Sequence, residues 1–130
     1  ERFAPGLPVI ATGDFNCPAG SAAWRWLPGE GGWRDPWTEL GLRDDGVVTF
    51  HGFTGLAALP LDRPDHLKDW LAVVAPRDAA AVVAARNMRI DWIPYRGPFA
   101  AVAAAVDARL VDGRVLSDHF PVTAVVRLDR

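Results

Sequence analysis

Asp14, Asn16, Asp91, Asp118 and His119 have the types and positions for acid–base or metal chemistry. Asp14 and Asn16 lie one residue apart in Gly13-Asp14-Phe15-Asn16, just after the apolar run Leu7 to Ala11. Asp91 interrupts Arg89-Ile90-Asp91-Trp92-Ile93, and Ser117-Asp118-His119 leads into an apolar segment that starts at Phe120. A lone acid on a strand is ordinarily a surface residue. One set between Ile90 and Trp92 is costlier, because an unpaired carboxylate withdrawn from water costs several kcal/mol and so calls for a partner. His119 is a candidate: a carboxylate on one ring nitrogen fixes the imidazole tautomer and makes the ring a better base. A salt bridge from Asp91 to Arg89 or a nearby arginine is the structural alternative. For Asp14 and Asn16 the plain alternative is a strand-to-loop turn held by side-chain-to-backbone hydrogen bonds.

Those residues need strands to carry them. Leu7 to Ala11 is short and apolar, with Pro8 and Gly13 as punctuation, and is expected to be a buried strand. If strand geometry continues through Phe15, Asp14 and Asn16 point to one side. Gly13 would let the backbone approach a ligand closely, and Pro18 stops the strand. Val47 to His51 has strand composition. Strict alternation in 89–93 predicts Arg89, Asp91 and Ile93 on one face, with Ile90 and Trp92 on the other. Phe99 to Leu110 is rich in Ala and Val and suits helix or strand, with strand expected near Val102 to Val106; a last strand runs Phe120 to Leu128. Helices are expected at Ala22 to Leu27, capped by Ser21, and as a turn at Trp37 to Leu42. Leu67, Trp70, Leu71 and Val74 mark an amphipathic helix over Asp65 to Val74. Pro76 breaks it, and Asp78 caps a second helix through Arg86.

Bulk properties allow a single domain with a real core: 130 residues, half of them hydrophobic. The net charge is -2, and the basic residues are scattered and form no stripe. Phosphate contacts supply most nucleic-acid affinity, so this pattern disfavours a grip on long nucleic acid while leaving a small phosphate substrate open. The one cysteine, Cys17, excludes an internal disulfide and reads as a small buried hydrophobe. No apolar run approaches the ~20 residues of a membrane span. No leader is visible, and cytoplasmic and secreted locations both remain open. His51 reads as a strand residue facing solvent or a loop, or as a substrate contact. Trp24, Trp26, Trp33 and Trp37 are expected to pack in core and loops, an aromatic platform for a base or a lipid being the sharper alternative.

The ordered set GDFN (Gly13 to Asn16), TFHGF (Thr49 to Phe53), RIDWI (Arg89 to Ile93) and SDHFPV (Ser117 to Val122) resembles the C-terminal half of the endonuclease/exonuclease/phosphatase superfamily, the deoxyribonuclease I-like fold. The resemblance implies half of a four-layer α/β sandwich: two mixed, mainly antiparallel sheets with outer helices. It implies a divalent-metal-dependent phosphoesterase that hydrolyses a phosphodiester or phosphomonoester with activated water. Asp14 would orient or deprotonate the water close to the metal, and Asn16 would hold a phosphoryl oxygen. Asp118 would lie at the metal site. His119 would contact the scissile phosphate as general acid/base, with Asp91 bonded to it. Hard oxygen ligands such as Asp14 and Asp118 suit Mg²⁺ or Mn²⁺. The partner implied is a phosphate ester, whether small molecule, lipid or nucleic acid, and a complete domain would be a monomer.

The family's N-terminal half carries a strand Asn, a metal-binding Glu and a His or Tyr that have no counterpart in this sequence. Glu1, Glu30 and Glu39 do not stand in the order that would replace that glutamate. Residues 1–130 are therefore expected to be an incomplete domain, exposing apolar sheet surface and showing little activity alone. A helical insertion is expected at about 56–88. The rival expectation is a catalytically incomplete fragment or a non-catalytic binding module derived from that fold.

Overall fold

The structure is a computed structural model that describes residues 6–56, 64–74, 77 and 79–129. Short antiparallel strand pairs, joined by turns and flanked by helices, give a mixed α/β chain. Strand β1 (Val9–Ile10) pairs with β4 (Tyr95–Arg96), with Val9 opposite Arg96. Strand β2 (Gly13–Asp14) pairs with β3 (Asp91–Trp92), so Gly13 faces Trp92 and Asp14 faces Asp91. The stretch after Leu7 thus runs beside the stretch 91–96, and Ala11 N–H to Pro94 O bridges the two pairs at 2.8 Å. The longest pair joins β5 (Phe99–Val106) to β6 (Val122–Leu128), with a register shift between Ala101 and Ala103. Ala favours helix by itself, but the Val-rich partner strand outweighs that preference. Between β4 and β5 the chain turns at Gly97 (φ 100), where a Cβ would come 2.9 Å from Pro8 Cα.

Several sequence expectations are corrected. Leu7 to Ala11 is not a buried strand: only Val9–Ile10 is extended, and Leu7 and Ile10 are 64% and 44% exposed. Its sheet has two strands. Val47 to His51 makes isolated bridges, Val48 with Met88 and Phe50 with His119, and no continuous strand. The strand in 89–93 is only Asp91–Trp92; Ile90 and Trp92 are buried and Asp91 and Ile93 half-buried, as alternation expects, while Arg89 is buried against Asp35 and Asp44.

The helices fall close to expectation. Helix α1 (Ala22–Trp26) is capped by Ser21, whose hydroxyl accepts from Trp24 N–H at 3.3 Å. Helix α2 (Pro36–Glu39) begins one residue before the expected turn, with Pro36 pre-set for the first helical position. The amphipathic stripe opens with a 3₁₀ turn (Pro64–Leu67) and continues as α3 (Lys68–Val74); α4 (Ala79–Ala84) follows. Pro76, Asp78 and the Val74 side chain lie outside the described residues. This helical segment makes a core with the 48–50 stretch: Val48, Leu71, Val82 and Met88 are buried together, with Phe50, Leu67 and Trp70 against them. No helix among the described residues is long and apolar enough to cross a membrane.

Apolar surface is left open on the long hairpin. Val102, Val125 and Leu128 are 53%, 56% and 50% exposed. An isolated two-stranded ribbon is marginally stable, and α2 packs against β5 of this one.

Candidate functional site

The short 48–51 stretch lies between the two motifs that carry Asp91 and His119, and it hydrogen-bonds to both. Thr49 is fully buried. Its hydroxyl donates to Met88 O (3.0 Å) and accepts from the N–H groups of Ile90 (3.0 Å) and Asp91 (3.3 Å). On the other side Phe120 N–H donates to Thr49 O (2.7 Å), and His51 N–H donates to Asp118 O (2.9 Å). Thr49 therefore fixes the backbone that presents Asp91, while its neighbours fix the backbone that presents His119. Sequence reasoning singled out TFHGF only as a motif and missed this residue's role. A hydroxyl with one donor and two acceptor positions, set in an apolar stretch, was the available signal.

The result is a direct contact: His119 Nδ1 lies 2.8 Å from Asp91 Oδ2. Both side chains keep about a fifth to a quarter of their surface open, at 25% for His119 and 20% for Asp91. Asp91 takes His119 and not Arg89. The buried Arg89 guanidinium turns away to Asp35 (2.9 Å) and Asp44 (2.5 Å) and stacks on Trp37, its carbon 5.3 Å from the ring centre. Asp91 also faces Asp14 across the β2–β3 register. Directly opposed residues in an antiparallel pair share a face, which puts Asp14 and Asp91 on the same side of the β2–β3 pair.

Asn16 is held differently from the expected strand position. The strand ends at Asp14, Phe15 stacks on Trp92 at 4.6 Å, and Asn16 takes a left-handed conformation (φ 52) that Asn tolerates better than most residues. Asn16 N–H donates to Asp14 Oδ1 at 2.7 Å, so the plain turn reading is also true of this stretch. The turn swings Asn16 into a hollow of about 230 Å³ that it shares with His119, Phe50, Leu67 and Trp70. Leu67 and Trp70 of the helical segment thus line one side of the hollow beside His119. A second hollow, about 490 Å³, opens over Gly13, Asp91, Ser117 and His119. A Cβ on Gly13 would meet nothing within 4 Å, so that side is open to a ligand.

Asp118 is His119's chain neighbour, and its carboxylate accepts from Ser117 at 3.3 Å. Asp14 and Asp118 offer only carboxylate oxygen, the chemistry that Mg²⁺ takes through one or two protein ligands, with water and substrate phosphate completing its shell. Among the described residues no group of three or more His, Cys, Asp or Glu side chains that could hold a metal ion is found.

His51 does not face solvent, and it lines the hollow beside His119. It is 1% exposed, with its ring 4.0 Å from that of Phe120. Gly55 N–H donates to Nδ1 at 3.2 Å, which puts the ring proton on Nε2, and Nε2 has no hydrogen-bond partner among the described residues. Burial pushes the imidazole below its ordinary value, against a smaller upward pull from the Asp118 carboxylate. Burial likewise pushes up the Cys17 thiol, so it is not an activated nucleophile. Glu39, which the sequence left without a role, accepts from Tyr95 OH (2.8 Å) and Ala101 N–H (2.8 Å) and ties α2 to β4 and β5.

Comparison with known proteins adds no neighbour: no family model, no curated protein and no solved structure matches the chain.

Proposed function

We propose that the protein is a divalent-metal-dependent phosphoesterase of the endonuclease/exonuclease/phosphatase type, built on part of that family's four-layer sandwich. The single observation that carries this reading is the 2.8 Å contact between His119 and Asp91, with Asp14 facing Asp91 from the opposite strand. These residues come from motifs far apart in the chain, and an acid–imidazole pair beside a second acid is an arrangement that hydrolysis of an anionic ester needs.

Each residue then has a task. Asp14 and Asp118 would hold Mg²⁺ or Mn²⁺, which supplies charge to offset the phosphate and to polarise the attacking water. Asp14 orients the water and accepts its proton. The water oxygen forms a bond to phosphorus as the bond from phosphorus to the alcohol oxygen breaks. Asp91 holds the His119 ring by Nδ1, leaving Nε2 for the phosphate or for proton delivery to the departing oxygen. Asn16, across the small hollow from His119, donates its amide N–H to a phosphoryl oxygen.

The test is Mg²⁺-dependent hydrolysis of bis(p-nitrophenyl) phosphate. Asp14→Asn and His119→Ala are each expected to lower the rate by about 100-fold or more. Rates unchanged in both variants would remove the assignment. A non-catalytic relative of the fold would keep the same turn and ion pair but show no metal-dependent turnover in the parent protein.

A further inference from the structure

Beside His119, the 107–117 loop and Phe120 enclose a hollow of about 400 Å³. Its walls are aliphatic, from Leu110, Val111, Val115 and Leu116. Leu110, Val111 and Leu116 leave 53%, 51% and 78% of their surface open to water. The apolar surface also continues past the hollow. Phe53 and Leu56, 66% and 62% exposed, line an adjoining depression of about 670 Å³ that shares Leu110 and Val115.

The charged members of the lining are already spent on one another. Arg109 Nε donates to Asp107 Oδ1 (2.8 Å) and Nη2 to Oδ2 (2.5 Å). These hydrogen bonds draw the Asp107 carboxyl down to about 2, so it stays ionised opposite Arg109 at ordinary pH. His51, in the same lining, is 1% exposed and packs its ring against Phe120. A polynucleotide needs cations spaced along its backbone track. This hollow offers a self-neutralised pair and hydrocarbon, which suit an uncharged apolar group. His119 is part of the lining, so a group seated there lies next to the proposed phosphate position.

We propose that this hollow seats the apolar group esterified to the phosphate, so that the substrate is a phosphate ester of an alkyl or aryl alcohol and not a polynucleotide. The proposal rests on the phosphoesterase reading, since His119 belongs to both.

The experiment uses p-nitrophenyl phosphodiesters whose second ester group is methyl, butyl or hexyl, together with thymidine 5′-(p-nitrophenyl phosphate), all with Mg²⁺. Along the alkyl series kcat/KM is expected to rise about two- to fourfold per methylene until the hollow is full. Leu110→Asp and Leu116→Asp, both on exposed positions, are expected to flatten that rise. Equal rates for methyl and hexyl esters overturn the proposal and leave the phosphoesterase reading intact. So does a thymidine ester faster than the hexyl ester, or Asp variants that keep the chain-length dependence. No metal-dependent hydrolysis of any ester by the full-length protein overturns both.

Discussion

Arg89 gives the sharpest prediction, because it joins the site's supporting backbone to the rest of the described chain. Its guanidinium is 1% exposed and holds Asp35, 9% exposed, and Asp44, 24% exposed. Asp35 sits at the start of α2, and the Arg89 carbonyl accepts from Trp92 Nε1 at 3.0 Å. In Arg89→Met the hydrocarbon volume is largely kept, but two carboxylates lose their cation, one of them nearly buried. Removing one member of a buried ion pair costs about 3–5 kcal/mol. The partial exposure of Asp44 lets water take up some of its charge, which puts the expected loss near the lower end, about 3 kcal/mol. Loss of the stack on Trp37 adds about 0.5–1 kcal/mol. A domain of ordinary stability has only about 5–15 kcal/mol to lose, so the effect is large. Urea unfolding of the wild type, Arg89→Met, Asp35→Asn and the double variant measures it. The double variant is expected to be more stable than Arg89→Met alone, because neutralising Asp35 removes the uncompensated buried charge. A loss below about 1 kcal/mol in Arg89→Met, or a double variant whose losses simply add, would refute the buried-network argument.

Other outcomes follow from the same contacts. Thr49→Val keeps the shape but leaves the Ile90 and Asp91 N–H groups without their acceptor; it should cost about 1–3 kcal/mol for each such group and lower activity through Asp91, read by urea unfolding and by the phosphodiester assay. His51 titrates lower folded than unfolded, so its contribution is whole above the ordinary imidazole value near pH 6.5 and is lost as pH falls through the lower folded value. Stability should therefore decline on acidification below about pH 6.5, and His51→Gln should lessen that decline in unfolding curves taken at successive pH values. Tyr95 is the single tyrosine of the sequence, and burial together with its bond to Glu39 pushes its phenol to about 12. Phenolate absorbance should thus be missing at pH 10 in the folded protein, and its appearance there without unfolding would contradict the Tyr95–Glu39 contact.

Much of the site was legible because its signals are local. Asp91 sits between Ile90 and Trp92, and an acid in that setting needs a partner wherever the chain goes. Asp14 and Asn16 follow a strand and precede a proline, so a polar turn stood as the plain alternative there, and Ser21 stands where a helix cap should. The stripe Leu67, Trp70, Leu71 needs only helical periodicity to be seen. What the residues bond to is a different matter. Arg89 and Asp91 alternate by spacing and were expected on one face, but a buried guanidinium goes to whatever carboxylates lie near enough to offset its desolvation. Asp35 and Asp44 are distant in sequence, so no local pattern names them.

The residue types at positions 14, 16, 91, 118 and 119, their order, and the strand or helix character around them are properties of the sequence by itself, because propensity and periodicity act over a few neighbours. The tertiary structure decided which groups meet. It set His119 on Asp91, opposed Asp14 to Asp91, buried His51, and left Leu7, Ile10 and the walls of the hollow beside His119 in water. Those outcomes depend on long-range pairing, where the cost of withdrawing each charge or exposing each apolar surface is settled by residues that the local chain does not contain.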